Sequence, residues 1–96
     1  MKIHDNDVDE IAGYLESDLK NPQAASEFLD DVEKSYRTLT TNPHLFALCT
    51  DERLYREGYR KSVIKNYLVL YRIDEAKKTV YVVRIVYGAR DYPQLL

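Results

Sequence analysis

The spacing of apolar residues divides the chain into a helical first part and a strand-forming second part. Between positions 8 and 39, apolar residues return every three or four positions, which is the period of a helix with one buried face. The first set is Val8, Ile11, Ala12, Leu15 and Leu19, and the second is Ala25, Phe28, Leu29, Val32, Tyr36 and Leu39. The pattern predicts two helices that form an antiparallel hairpin.

Polar and proline signals predict where these helices begin and end. Asp5, Asn6 and Asp7 offer capping oxygens for the first helix. Asn21-Pro22 restarts the chain with a capping asparagine and a proline at the first helical position. Asn42-Pro43 ends the second helix, because a residue before proline is disfavoured in the α region.

From position 59 the apolar residues alternate, which is typical of strands. We expect strands at 59–64, 67–73 and 79–86, with a connecting segment at 44–58 that includes a short helical piece near 51–56. Short links between the strands make them antiparallel. The predicted fold class is therefore α+β, with an N-terminal two-helix hairpin packed on a C-terminal three-stranded antiparallel sheet.

Alternation also assigns the two faces of the sheet, if Ile73 pairs with Thr79 across the last turn. One side carries no charge and should pack against the helices: Tyr67, Val69, Tyr71, Ile73, Thr79, Tyr81, Val83, Ile85 and Tyr87. The other side carries two arginines among aliphatic residues: Leu68, Leu70, Arg72, Val80, Val82, Arg84 and Val86. An exposed face of this kind predicts a binding surface. The alternative is that a homodimer or the 44–58 segment covers it.

Charge is distributed unevenly along the 96 residues. Positions 1–52 hold four basic and twelve acidic residues, whereas positions 53–96 hold ten basic and four acidic ones, for a total of −2. Such a chain is able to present a positive surface to an anionic partner. The alternative is that the two halves neutralise one another within the fold.

Several kinds of chemistry find no support in the sequence. Its three glycines are not clustered as in a phosphate-binding loop, and His4, His44 and Cys49 do not have the spacing of a metal site. We expect no metal and no cofactor. A single cysteine, no long apolar run and no signal peptide predict a soluble cytoplasmic protein without membrane contact.

Three segments resemble the RelE/ParE superfamily of type II toxin–antitoxin toxins. They are Gly58-Tyr-Arg-Lys61, Asn66-Tyr-Leu-Val-Leu-Tyr-Arg-Ile73 and Val83-Arg-Ile-Val-Tyr-Gly-Ala-Arg-Asp-Tyr92, which follow the helical hairpin in the family's order. The resemblance implies a single toxin domain over residues 1–96 whose sheet is bound by a cognate antitoxin. The antitoxin-binding residues would be those of the arginine-bearing face, namely Leu68, Leu70, Arg72, Val80, Val82 and Arg84.

The resemblance implies one of two activities. RelE-like members cut messenger RNA on the ribosome, holding phosphates with basic side chains and using a general acid and base. ParE-like members inhibit DNA gyrase and are not nucleases. For a ribosome-dependent endoribonuclease, which we expect first, the matching catalytic positions are Arg60, Tyr87 and Arg90. The gyrase inhibitor and an inactive antitoxin-binding relic are the alternatives.

The chain departs from the nuclease pattern at several positions. Leu68 stands where these nucleases carry arginine, Ser62 where they carry a lysine and Leu96 where they carry a tyrosine. Positions 49–96 contain no histidine. A general acid and base would have to come from a small set of other residues: Glu52, Glu57, Tyr87, Asp91 and Tyr92.

The N-terminus departs from the family as well, because the first helix begins almost directly after Met1. Members of the family start with a strand, which this pattern predicts to be absent. An unpaired sheet edge would result, and such edges attract another chain. We expect the antitoxin or a second copy, as a homodimer, to occupy that edge, unless the chain is a shortened form.

Overall fold

The computed structural model describes residues 2–3, 7–87 and 92–96 and confirms an α+β fold. Strand β1 spans Lys2–Ile3, and the helices are α1 at Asp7–Gly13, α2 at Pro22–Thr41 and α3 at Glu52–Arg56. The later strands are β2 at Arg60–Ile64, β3 at Tyr67–Asp74 and β4 at Thr79–Tyr87, followed by a 3₁₀ turn at Tyr92–Leu95. The predicted helical hairpin, strands and short third helix are confirmed within a few residues.

The helix boundaries follow the polar signals in the sequence. The side chain of Asn21 accepts a hydrogen bond from the Ala24 backbone N–H at 3.1 Å, and α2 ends at Thr41, before Asn42-Pro43. The first helix differs from the prediction, because α1 passes into a π-helical turn at Tyr14–Asp18. There the Leu19 N–H donates to the carbonyl of Tyr14, five residues earlier, at 3.1 Å.

Among the described residues the sheet has four strands, in the order β1-β4-β3-β2, so the expectation of three strands was wrong. β1 lies parallel to β4, pairing Lys2 with Tyr81 and Ile3 with Val82, whereas the other pairs are antiparallel. A strand of two residues is too short to show alternation, which is why the pattern did not predict it. It pairs with only two residues of β4.

A bulge in β4 changes the predicted faces of the sheet. Near the turn, Ile73 pairs with Val80 rather than with Thr79, and the register then shifts between Leu70 and Tyr71, which leaves Val83 without a partner on β3. A one-residue shift moves every side chain to the opposite face. The placement of Val80 and Val82 on the outer face was therefore wrong, and both are buried on the helix side.

Two apolar clusters lie on opposite faces of the sheet. The helix-side core contains Leu15, Ala25, Phe28, Val32, Leu39, Tyr67, Val69, Tyr71, Val80, Val82 and Ile85. The second core contains Cys49, Leu54, Leu68, Leu70 and Val86, with Tyr59, Tyr92 and Leu96 packed against it. The outer face is thus covered by the segment around α3 and by the 3₁₀ turn, as one of the two sequence-based alternatives proposed.

Candidate functional site

Arg60, the first predicted catalytic residue, is held by a structural contact. It begins β2 opposite Tyr71, and its Nη1 donates a hydrogen bond of 2.7 Å to the carbonyl of Phe46. The Tyr71 hydroxyl donates to the nearby carbonyl of Pro43 at 2.8 Å. Burial raises the pKa of Tyr71, although the positive charge of Arg60 acts in the opposite direction. Through these two hydrogen bonds, the Arg60 and Tyr71 side chains hold the segment after α2 against the sheet.

The other two predicted catalytic residues are located only in part. Tyr87 ends β4 opposite Tyr67, but its side chain lies outside the described residues, as do Arg90 and Asp91. Their catalytic role stays a prediction.

The predicted antitoxin-binding face is largely covered. Leu68 is 5% exposed and Leu70 is 0% exposed, because Cys49 and Leu54 pack over them. The prediction that these aliphatic residues form an outward patch was wrong. The alternation of the sequence could not show it, since the covering segment has no regular period. That the antitoxin contacts Leu68 or Leu70 stays a prediction.

Arg84 also differs from its predicted exposed position. Its Nε and Nη2 donate to the two carboxylate oxygens of Asp7 at 2.9 and 3.2 Å, and the backbone N–H of Ile85 donates to Asp7 Oδ2 at 2.8 Å. Asp7 is only 5% exposed. This carboxylate therefore joins the start of α1 to the edge of β4 beside the bulge. It satisfies an edge N–H that would otherwise face a neighbouring strand.

Tyr36 has a strongly raised pKa. Burial, assisted by the negative charge of Asp7, raises the pKa of Tyr36 to about 12. Its hydroxyl is buried, and no described atom forms a hydrogen bond with it. A phenol in this environment is held neutral, so it is poorly suited to act as a general base.

The candidate acids and bases near α3 take part in local contacts. Glu57 accepts a hydrogen bond from Arg53 Nη1 at 3.3 Å, and Arg53 Nη2 donates to the carbonyls of Pro93 and Leu96 at 2.7 and 3.0 Å. The Lys61 ammonium lies 5.4 Å from the centre of the Tyr92 ring. These contacts hold the 3₁₀ turn against the second core.

Cys49 lies beneath this turn. Burial raises the pKa of the Cys49 thiol, although Lys61 and a hydrogen bond with Tyr92 oppose the effect. The thiol is 1% exposed as part of the second core. A buried thiol that stays protonated is a weak nucleophile, which agrees with a packing role.

Arg72 is the predicted surface residue that the structure leaves accessible. It is exposed on β3, and its guanidinium carbon lies 5.9 Å from the centre of the Tyr59 ring. The sequence analysis did not place Tyr81 and Lys2 near Arg72, because it assigned Tyr81 to the helix side of the sheet and Lys2 to no strand. The bulge in β4 explains the first error, and the unpredicted strand β1 explains the second.

In residues 2–3, 7–87 and 92–96, no three or more histidine, cysteine or carboxylate side chains come close enough to hold a metal ion. None of the described helices has the length and apolar character required to cross a bilayer.

Comparison with known proteins gives one family. A family model described as the ParE toxin of the type II toxin-antitoxin system, parDE, matches residues 4–92 of the 96-residue chain. A search of curated proteins gives no match. The matched range runs from before α1 into the 3₁₀ turn, and it contains all the catalytic and antitoxin-binding positions predicted from the sequence.

Proposed function

This chain belongs to the ParE toxin family of type II toxin–antitoxin systems, and on that basis we propose that it inhibits DNA gyrase by binding rather than cutting messenger RNA. Membership of the family makes it a toxin with a cognate antitoxin as its partner. We also propose that residues 1–96 form one toxin domain. The target is the part of the proposal that requires a test.

The choice of gyrase rather than messenger RNA as the target rests on the hydrogen bond that Arg60 makes within the fold. A nuclease of this size needs cations that face the scissile phosphate and a positioned acid and base. The Arg60 guanidinium instead holds the Phe46 carbonyl at 2.7 Å. Glu57 and Tyr92, two of the acid–base candidates, contact Arg53 and Lys61. These arrangements support a protein-binding toxin over a catalytic one.

Ribosome-dependent cleavage of messenger RNA is the second candidate. The excess of basic residues at positions 53–96, ten against four acidic, favours it because contacts to the phosphate backbone supply much of the affinity for a nucleic acid. Arg60, Tyr87 and Arg90 would then be the catalytic residues. An antitoxin-binding relic without toxicity is the remaining alternative from the sequence.

Two assays on the same protein separate these functions. Purified gyrase is incubated with relaxed plasmid and increasing toxin, with a matched series in which the cognate antitoxin is added first. We expect supercoiling to fall with toxin and to recover with antitoxin. In parallel, transcripts are sequenced after toxin induction, and we expect them to remain intact during growth arrest.

The contrary results are equally specific. Unchanged supercoiling at excess toxin, together with transcripts cut at codon positions, would establish the nuclease and refute the gyrase proposal. Harmless expression with normal supercoiling and intact transcripts would identify a relic.

A further inference from the structure

A cleft of about 340 Å³ opens on the helix side of the sheet, between the end of α2 and the turn that joins β3 to β4. Its apolar lining residues are buried or half-buried, whereas its charged lining residues are exposed. Pro43, Ile73 and Val80 thus form the floor, and His44, Glu75 and Lys78 form the rim. We call this site the α2 cleft. Its volume lies near the lower end of the range for small-molecule pockets, about 300–1,000 Å³.

Hydrogen bonds fix both walls of the α2 cleft before any ligand enters. On one side, the Tyr71 hydroxyl donates to the carbonyl of Pro43 at 2.8 Å. On the other, the Lys78 backbone N–H donates to the carbonyl of Glu75 at 3.4 Å. His44 Nε2 lies 2.7 Å from Glu75 Oε1 and joins the two walls across the mouth. A ligand therefore meets a preformed site and loses little binding energy to ordering the protein.

The floor of the cleft continues the helix-side core. Val80 belongs to that core with 6% of its surface exposed, and Ile73 packs against it. An apolar group that enters the cleft would extend the core and leave water, which is favourable. The floor therefore selects a ligand with an aliphatic or aromatic group.

The rim offers one anionic and one cationic group. Glu75 meets His44 through Oε1, and within the described residues no partner reaches Glu75 Oε2. The Lys78 ammonium is exposed and likewise has no partner among them. Both side chains line the cleft from the same turn. A ligand with a single charge would satisfy one of them and lie beside a like charge on the other, whereas a zwitterion complements both.

We propose that the α2 cleft binds a free apolar amino acid. The ligand side chain rests on Ile73 and Val80, its carboxylate pairs with Lys78 and its ammonium pairs with Glu75 Oε2. The ligand is a free amino acid because a residue inside a peptide has given up both charges to its peptide bonds. The cleft lies on the opposite face of the sheet from Arg72, so the inference does not depend on the antitoxin or on gyrase.

An NMR titration of the isotope-labelled full chain tests the proposal with leucine and three analogues. Isocaproate lacks the ammonium, isoamylamine lacks the carboxylate and glycine lacks the apolar side chain. We expect leucine to shift the amide signals of Ile73 and Val80 in a saturable way, with a Kd on the order of 1 mM for so small a ligand. Each analogue should bind at least about fivefold more weakly.

Rim variants test the two charges separately. The variants are Lys78→Gln and Glu75→Gln, with Lys77→Gln as the matched control, because Lys77 is an exposed lysine of the same turn that lines a different cleft together with Arg72 and Tyr81. We expect Kd for leucine to rise about fivefold in Lys78→Gln, about threefold in Glu75→Gln and less than about twofold in Lys77→Gln. The amide spectrum of each variant shows whether the fold is retained.

Three results would overturn the proposal. One is the absence of saturable shifts in the wild type at leucine concentrations of about ten times the expected Kd. Another is binding of isocaproate or isoamylamine as tight as that of leucine. The third is an equal loss of affinity in Lys77→Gln and Lys78→Gln. Because the titration contains neither gyrase nor antitoxin, its outcome is independent of the toxin's target.

Discussion

The contact between Asp7 and β4 should make a large contribution to the stability of the fold. Asp7 accepts three hydrogen bonds, two from Arg84 and one from the Ile85 backbone, at distances from 2.8 to 3.2 Å. Its side chain is 6% exposed and that of Arg84 is 30% exposed. Replacing Asp7 by alanine would leave a partly buried guanidinium without this anion and a buried N–H without its acceptor.

The size of the destabilisation follows from the exposed fractions of the Asp7 and Arg84 side chains. Breaking a fully buried ion pair by removing one partner costs about 3–5 kcal/mol. Water reaches part of Arg84 and is able to replace some of the lost interaction, so we expect about 2–4 kcal/mol for Asp7→Ala. For a domain of this size, in which 1 kcal/mol shifts the melting temperature by about 4–8 °C, the melting temperature would fall by about 8–32 °C.

Urea and thermal unfolding of the toxin alone measure this cost. Asp9→Ala is the control, because Asp9 is exposed in the same first turn of α1 and also interacts with the helix dipole. We expect it to cost less than about 1 kcal/mol. Equal costs for Asp7→Ala and Asp9→Ala would refute the reasoning. A double-mutant cycle with Arg84→Ala should give a coupling of about 1–3 kcal/mol, and a coupling near zero would assign the loss to Asp7 alone.

Three other substitutions test contacts elsewhere in the structure. Tyr36→Phe should leave stability unchanged or raise it by up to about 1 kcal/mol at neutral pH, because the buried hydroxyl has no described hydrogen-bond partner. With a folded pKa of about 12 against an ordinary value of 10.0, Tyr36 should also make stability fall as pH rises from 10.0 towards 12, since only the unfolded state releases the proton there. Urea unfolding across that range should show a smaller fall in Tyr36→Phe, and an identical fall would contradict the assignment. Arg53→Ala should speed amide exchange at positions 92 and 94–96 and cost about 1 kcal/mol, whereas Arg56→Ala, an exposed neighbour, should change neither. Arg60→Ala should destabilise the toxin by about 1–3 kcal/mol through the lost Phe46 contact; unchanged stability with complete loss of toxicity would instead indicate a functional contact.

Local signals predicted α2, α3 and the three longer strands. Asn21-Pro22 and Asn42-Pro43 marked the start and the end of α2, because side-chain capping and the steric restriction on a residue before proline act within one turn of the helix. Alternation likewise located β3 and β4 within one residue of their observed ends. The π-helical turn at Tyr14–Asp18 was missed, since its residues continue an ordinary helical pattern.

The candidate site was predicted less completely, because it depends on contacts between distant segments. Arg72 was correctly placed on the outer face, but the position of Lys2 beside Tyr81 depends on a two-residue strand that sequence alternation does not reveal. The sequence suggested that Arg60 was available to bind phosphate, whereas in the structure it donates a hydrogen bond to the carbonyl of Phe46, fourteen positions earlier in the chain.

The sequence by itself determined the order of the elements from α1 to β4, the tyrosine-rich half of the core and the family, because each follows from residue types at fixed spacing. Only the tertiary structure decided which valines of β4 are buried and that, of Arg72 and Arg84, Arg72 is the more exposed. A single extra residue, Val83, shifts the pairing of β4 against β3 and exchanges Tyr81 with Val82 between the faces. The energy of that register comes from both faces packing at once, against the helices on one side and the α3 segment on the other, and no single segment contains this information.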